Sequence, residues 1–166
     1  METTELTRLV HTHESELLRF AVTLLGDEAL AQDAVQDAFN ALSGCFFVPR
    51  NPRAWLYRVT KNKALNILRS RRKLHFTCDM PEVCDHVNVP EKEMELSDRE
   101  SVLKKAVSEL PPGQRAVLVL RFYENMSYGE IARCMGVSSG TVASQLHDAL
   151  CKMELLLKDR FSEEVS

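Results

Sequence analysis

No apolar run in this chain of 166 residues approaches the ~20 needed to cross a bilayer. The opening METTELTRLV also lacks the basic-then-apolar pattern of an export signal. A cytoplasmic protein with no membrane association is expected. The five cysteines (Cys45, Cys78, Cys84, Cys134 and Cys151) are odd in number and do not form a small disulfide framework, which points to a reducing compartment. Catalytic signatures are missing as well. His11, His13, His75, His86 and His147 are scattered, and there is no HExxH, phosphate loop or Ser/His/acid arrangement. A non-enzyme without a cofactor is expected, with His11 and His13 at the surface. Alternating strand patterns and solenoid repeats are absent too, so the expected fold class is all-α.

The most informative absence is local. Between Arg50 and Lys73 there is no Asp or Glu, while nine Lys or Arg residues are present. The net charge of −3 hides this. Residues 1–75 carry 11 basic and 8 acidic side chains, residues 76–101 carry 2 and 8, and residues 102–166 carry 8 and 8. An acidic middle therefore masks a basic stretch. Asn51 can cap a helix there, and Pro52 suits its first position because its missing N–H has no partner to lose. Leu56, Val59, Ala64, Leu65 and Leu68 recur near the helical period. Arg53, Arg58, Lys61, Lys63 and Arg69 are left for solvent or a polyanion, with Trp55 and Tyr57 among them. Flat rings beside phosphate-seeking charges suit unpaired nucleic acid, although a tryptophan at this helical phase is expected to be buried.

In chain order, residues 3–25 read as a helix that Gly26 ends. Asp27 caps a second, over 28–42, with Ala31, Ala34, Val35, Ala38, Phe39 and Leu42 inward. Its other side, Gln32, Asp33, Gln36, Asp37 and Asn40, is a polar strip. Ser43–Arg50 is a loop with two adjacent phenylalanines. The composition changes near His75, and Pro81 and Pro90 among acidic clusters mark a flexible linker. The expected division is 1–75, a linker 76–97, and 98–166. The second part starts with a helix to Leu110, a Pro111–Pro112–Gly113 break, and a helix 114–123 with Val117, Leu118, Leu120 and Phe122 apolar. Ser127 and Glu130 then form a capping box, and the short helix that follows ends at Gly136. Ser138 caps a long helix to about Asp159, with Val142, Leu146, Leu150, Met153 and Leu157 inward. Short helix, glycine turn and long helix spell helix-turn-helix.

Four strings in this order resemble the extracytoplasmic-function (ECF) group of bacterial sigma-70-type RNA polymerase sigma factors. AQDAVQDAFNAL is similar to that family's helix for docking on the polymerase β′ coiled coil. NPRAWLYRVTKNKALNILRSRRK resembles its promoter −10 helix, and LPPGQRAVLVLRFYENMSYGEIARCMGVSSGTVASQLHDAL its −35 helix-turn-helix. The resemblance implies a three-helix sigma domain 2 and a four-helix sigma domain 4. Its partners would be core RNA polymerase, promoter DNA and an anti-sigma factor. It further implies polymerase contacts at Asp33, Gln36, Asp37 and Asn40. Contacts to the melted −10 strand would come from Phe46, Phe47, Asn51, Arg53, Arg58, Lys61, Asn62 and Arg69, and −35 contacts from Ser139, Thr141, Ser144, Gln145 and His147. The recognition helix departs from the family pattern: Ala143, Gln145, Asp148 and Leu150 stand where basic residues are common. Weak −35 binding is therefore expected. The alternative is a sigma-like helix-turn-helix protein that no longer initiates transcription efficiently. His75, Cys78, Cys84 and His86 are zinc-competent, but their spacing matches no common structural site, so no metal is expected.

Overall fold

A computed structural model describes residues 3–77 and 98–164. Among these residues the chain forms seven helices and no strand: α1 (Thr3–Leu25), α2 (Glu28–Ser43), α3 (Pro52–Thr77), α4 (Asp98–Ser108), α5 (Pro112–Phe122), α6 (Tyr128–Met135) and α7 (Ser139–Glu164). The expected all-α class is what forms. Local chemistry fixes most boundaries. Gly26 takes φ 65 after α1, a left-handed conformation that costs other residues more. Asp27 accepts a hydrogen bond from Leu30 N at 3.0 Å, satisfying one of the first-turn donors of α2. The six residues expected on the inner face of α2 are all buried.

The first three helices pack on one another, and the core they share is wider than one three-helix unit. Leu17, Phe20, Leu24, Ala38, Leu42, Leu56 and Tyr57 belong to the same buried cluster as Val117, Leu120, Met126, Ile131 and Leu146. Helix α1 meets α5, and α3 meets α6, so the main core is drawn from both halves of the chain. A smaller cluster of Ala106, Leu110, Leu118, Ala149 and Met153 holds α4, α5 and α7 together.

Three details differ from the sequence reading. Helix α5 begins at Pro112, two residues early, because proline fits a first helical position. Phe122 is exposed on α5, and Leu150 is exposed on α7, where Ala149 takes the buried place. An apolar residue at about the helical period need not face inward once α4 and α5 set the rotation of α7.

Candidate nucleic-acid interface

The N-terminus of α3 is anchored as expected, with Ala54 N donating to Asn51 Oδ1 at 3.0 Å. That bond uses the oxygen of Asn51 as a cap. The loop before it projects Phe46 and Phe47, which are 93% and 87% exposed. Two bare phenyl rings ahead of a basic helix are flat apolar surfaces of the kind on which unpaired bases can stack.

The outer face of α3 divides its cations into two sets. Arg58, Asn62, Lys63 and Arg69 are exposed, and Lys63 pairs with Asp37 on α2 at 3.2 Å. Arg53 and Lys61 are not open to solvent as the sequence suggested. Lys61 is buried and donates from Nζ to Met135 O at 3.1 Å, at the carbonyl-rich end of α6. Burial first, then the charge of Arg58, pulls its pKa below the ordinary lysine value. Arg53 is half-buried and donates from Nη2 to Glu124 O at 3.2 Å, with Glu124 Oε2 at 3.4 Å. Its Nε also lies 3.7 Å from Glu16 Oε2. Both cations are held by the second half of the chain, an outcome that residue spacing within α3 does not encode.

The aromatics are corrected too. Tyr57 is fully buried, edge-on to Phe20 with centroids 5.2 Å apart and beneath the Arg53 guanidinium. Burial, reinforced by the Glu124 carboxylate nearby, raises the pKa of its hydroxyl and keeps it protonated. Tyr57 is therefore core. Trp55 is half-buried and packs on the core, as its helical phase suggested.

On α2 the residues expected to dock on polymerase form one exposed strip. Asp33, Gln36, Asp37 and Asn40 are all exposed, and Gln36 Nε2 donates to Asn40 Oδ1 at 3.3 Å.

The helix-turn-helix is present with its turn chemistry intact. Ser127 Oγ accepts from Glu130 N at 3.2 Å, and Glu130 Oε2 accepts from Ser127 N at 2.9 Å. These bonds hold the Glu130 carboxyl below its ordinary pKa, the backbone bond to Ser127 most of all. Gly136 closes α6 at φ 69. Ser138 Oγ then accepts from Thr141 N at 3.2 Å. Of the expected −35 contacts, Ser139, Thr141, Ser144 and His147 are exposed. Gln145 is only half-exposed, and its Oε1 is buried without a hydrogen-bond partner. His147 Nε2 lies 3.7 Å from Cys151 Sγ. No Lys or Arg occurs on α7 before Lys152. The recognition face thus offers hydroxyls and an imidazole but no fixed positive charge to phosphates.

Residues that sequence reading missed sit between the halves. Arg115 is buried, donating from Nη1 to Thr23 O and Leu24 O at 3.2 and 2.8 Å. Its Nη2 donates to Ser108 O and Leu110 O at 2.7 and 2.8 Å. Glu124 is buried in the turn after α5. Both look like ordinary surface charges in the sequence, and their partners include groups from the first half of the chain, the Arg53 side chain for Glu124 and the end of α1 for Arg115. His13 is also more enclosed than expected, 14% exposed and 3.7 Å from Glu16. The four ligand-competent residues His75, Cys78, Cys84 and His86 lie outside the described part: Cys78, Cys84 and His86 fall within 78–97, and the side chain of His75 is not described. Among the described residues no cluster of three His, Cys, Asp or Glu could hold a metal, and no helix is long and apolar enough to cross a membrane.

The family model described as Sigma-70 region 2 matches residues 9–74, and Sigma-70, region 4 matches residues 101–153. The RNA polymerase sigma-E factor of Streptomyces coelicolor is 34% identical over 167 residues, covering 95% of this chain and 90% of that protein. The ECF RNA polymerase sigma factor SigE of Mycolicibacterium smegmatis is 34% identical over 145 residues. That match covers 84% of this chain but spans 56% of the length of the relative. Among solved structures, the sigma factor RpoE in complex with the anti-sigma factor NepR from Bartonella quintana superposes with TM-score 0.74 at 25% identity. It covers 94% of this chain and 98% of that one.

Proposed function

Because the chain belongs to the ECF group of sigma-70-type RNA polymerase sigma factors, we propose that α2 and α3 carry its contacts to polymerase and to melted promoter DNA. The chain is a transcription initiation factor that gives core polymerase its promoter specificity. In this reading it is a non-catalytic cytoplasmic subunit of two functional parts, 1–75 and 98–166, joined through 76–97. Asp33, Gln36, Asp37 and Asn40 dock on the β′ coiled coil. Phe46 and Phe47 stack on an unpaired −10 base, at a cost of a few kcal/mol for flipping that melting by polymerase reduces. Asn51, Asn62, Arg58 and Arg69, with Arg53 and Lys61 once released, hold the strand by its phosphates. The exposed phenyl pair beside the basic face of α3 is the observation that carries this reading.

Ser139, Thr141, Ser144, Gln145 and His147 make the −35 contact, and its phosphate component is small because the face lacks cations. The same lack supports a second reading, a sigma-like regulator that binds polymerase without initiating efficiently. Run-off transcription with reconstituted core polymerase across a promoter library separates the two. Promoter-specific transcripts are expected. Intact polymerase binding with no transcript from any promoter favours the second reading. An anti-sigma partner, as in the solved RpoE–NepR complex, fits the same family assignment.

A further inference from the structure

Helix α7 carries a second chemistry beside its exposed hydroxyls. His147 and Cys151 stand four residues apart, so their side chains project from one side of the helix. Both are exposed, while Leu146, Ala149 and Met153 are buried behind them and fix the rotation of α7. Within that frame His147 Nε2 lies 3.7 Å from Cys151 Sγ.

The spacing is that of two ligands of one tetrahedral ion. In tetrahedral zinc sites a thiolate lies about 2.3 Å and an imidazole nitrogen about 2.1 Å from the ion. Those lengths set the two ligand atoms about 3.6 Å apart at the tetrahedral angle. Imidazole with thiolate also selects the zinc class over calcium or magnesium, which prefer oxygen. Glu154, three residues beyond Cys151, is engaged by Lys158 at 2.7 Å. The chain therefore supplies two ligands and leaves the other positions to water or to a group on DNA.

The surroundings lack what would repel a cation. From Ser139 to Cys151 there is no Lys or Arg, and Asp148, next to His147 in sequence, is exposed. The same deficiency leaves the helix without a charged partner for phosphates. We propose that His147 and Cys151 bind a divalent cation of the zinc class, which gives the recognition helix the positive charge its sequence lacks. Binding exchanges the thiol proton of Cys151, released to solvent, for the metal. A divalent ion on one thiolate leaves a net positive charge at the helix surface, with coordination positions open to the outside. Phosphate oxygens or a guanine N7 fill them. The inference rests on α7 being the −35 contact proposed above, and it makes that contact metal-dependent.

The test uses the full chain carrying Cys78→Ser and Cys84→Ser, which removes the thiols outside the described residues. Cobalt(II) is the spectroscopic probe. One equivalent should produce a near-ultraviolet sulfur-to-cobalt charge-transfer band that zinc displaces. Cys151→Ser should abolish the band. His147→Ala should weaken cobalt binding at least about tenfold, since even the hydrogen-bond partners of ligands are worth that much. No band, or a band that survives Cys151→Ser, overturns the site, and unchanged affinity in His147→Ala overturns the chelate. The effect on DNA is read by fluorescence anisotropy with the −35 duplex of a promoter recovered from the run-off library. Zinc should tighten binding and steepen the fall of log affinity with log salt by about one, the effect of one added phosphate contact. Cys151→Ser should show neither change. If Thr141→Ala with Ser144→Ala weakens duplex binding but zinc has no effect, the −35 reading stands and the role of the metal is refuted. If those two substitutions leave duplex binding as it was, the reading of α7 itself fails.

Discussion

The capping box of α6 shows how much a single side chain can settle. Ser127 and Glu130 satisfy each other's backbone N–H groups, so two donors that a helix start leaves unpaired are both used. The folded-state pKa of Glu130 is lowered, so its contribution is present above its unfolded value, near 4.3, and is lost as pH falls through the lower folded value. Glu130→Gln keeps an acceptor oxygen but cannot titrate. Its unfolding free energy should therefore fall less steeply than that of the wild type below about pH 4, as followed by urea titrations across pH. An identical acid limb would show that the bond is unimportant. Cys134, four residues on, is the opposite case, where burial pushes the thiol up to about 11. Its thiolate is scarce at neutral pH, and thiol reagents should label exposed Cys151 well before Cys134.

At the scale of an element, α7 shows where periodicity succeeds and where it fails. Val142, Leu146 and Met153 are buried as expected, while Leu150 is 44% exposed. Leu146→Ala should cost about 2–5 kcal/mol, as for other buried leucines. Leu150→Ala should stay within about 0.5 kcal/mol, as at other surface sites. Chemical denaturation of the two variants checks this, and similar losses would place Leu150 in the core after all. On α2, the strip Asp33, Gln36, Asp37 and Asn40 is exposed along one side. Asp33→Lys with Gln36→Ala should weaken binding to core polymerase without lowering thermal stability. A parallel loss of stability would mean the strip is structural.

For the whole molecule, Arg115 joins elements far apart in the chain. It caps carbonyls at the end of α1 and at the end of α4 together. Replacing it with methionine keeps much of the volume and leaves those carbonyls without their donor. Each orphaned buried acceptor costs about 1–3 kcal/mol, so Arg115→Met should destabilise by at least about 2 kcal/mol in urea. The shared core makes a related prediction. Trp55, the single tryptophan, lies in the first half, while far-UV circular dichroism reports on all helices. The two signals should trace one coincident unfolding transition. Separate midpoints would mean that the contact between the halves contributes little.

The sequence by itself determined the all-α class, the caps at Asp27, Asn51, Ser127 and Ser138, and the buried face of α2. These follow from hydrogen bonds and periodicity within a few residues, which a linear chain carries in full. The family and the order of its parts were legible for the same reason, since each motif is local. Tertiary structure alone decided which cations remain available. Arg53 and Lys61 are cations of the same helix as Arg58 and Arg69, yet Glu124 and Met135 occupy the first pair, 71 and 74 residues away. Burial of Tyr57, Arg115 and Glu124 has the same origin. Ion pairing depends on distance in space, and no local pattern records which distant group will arrive.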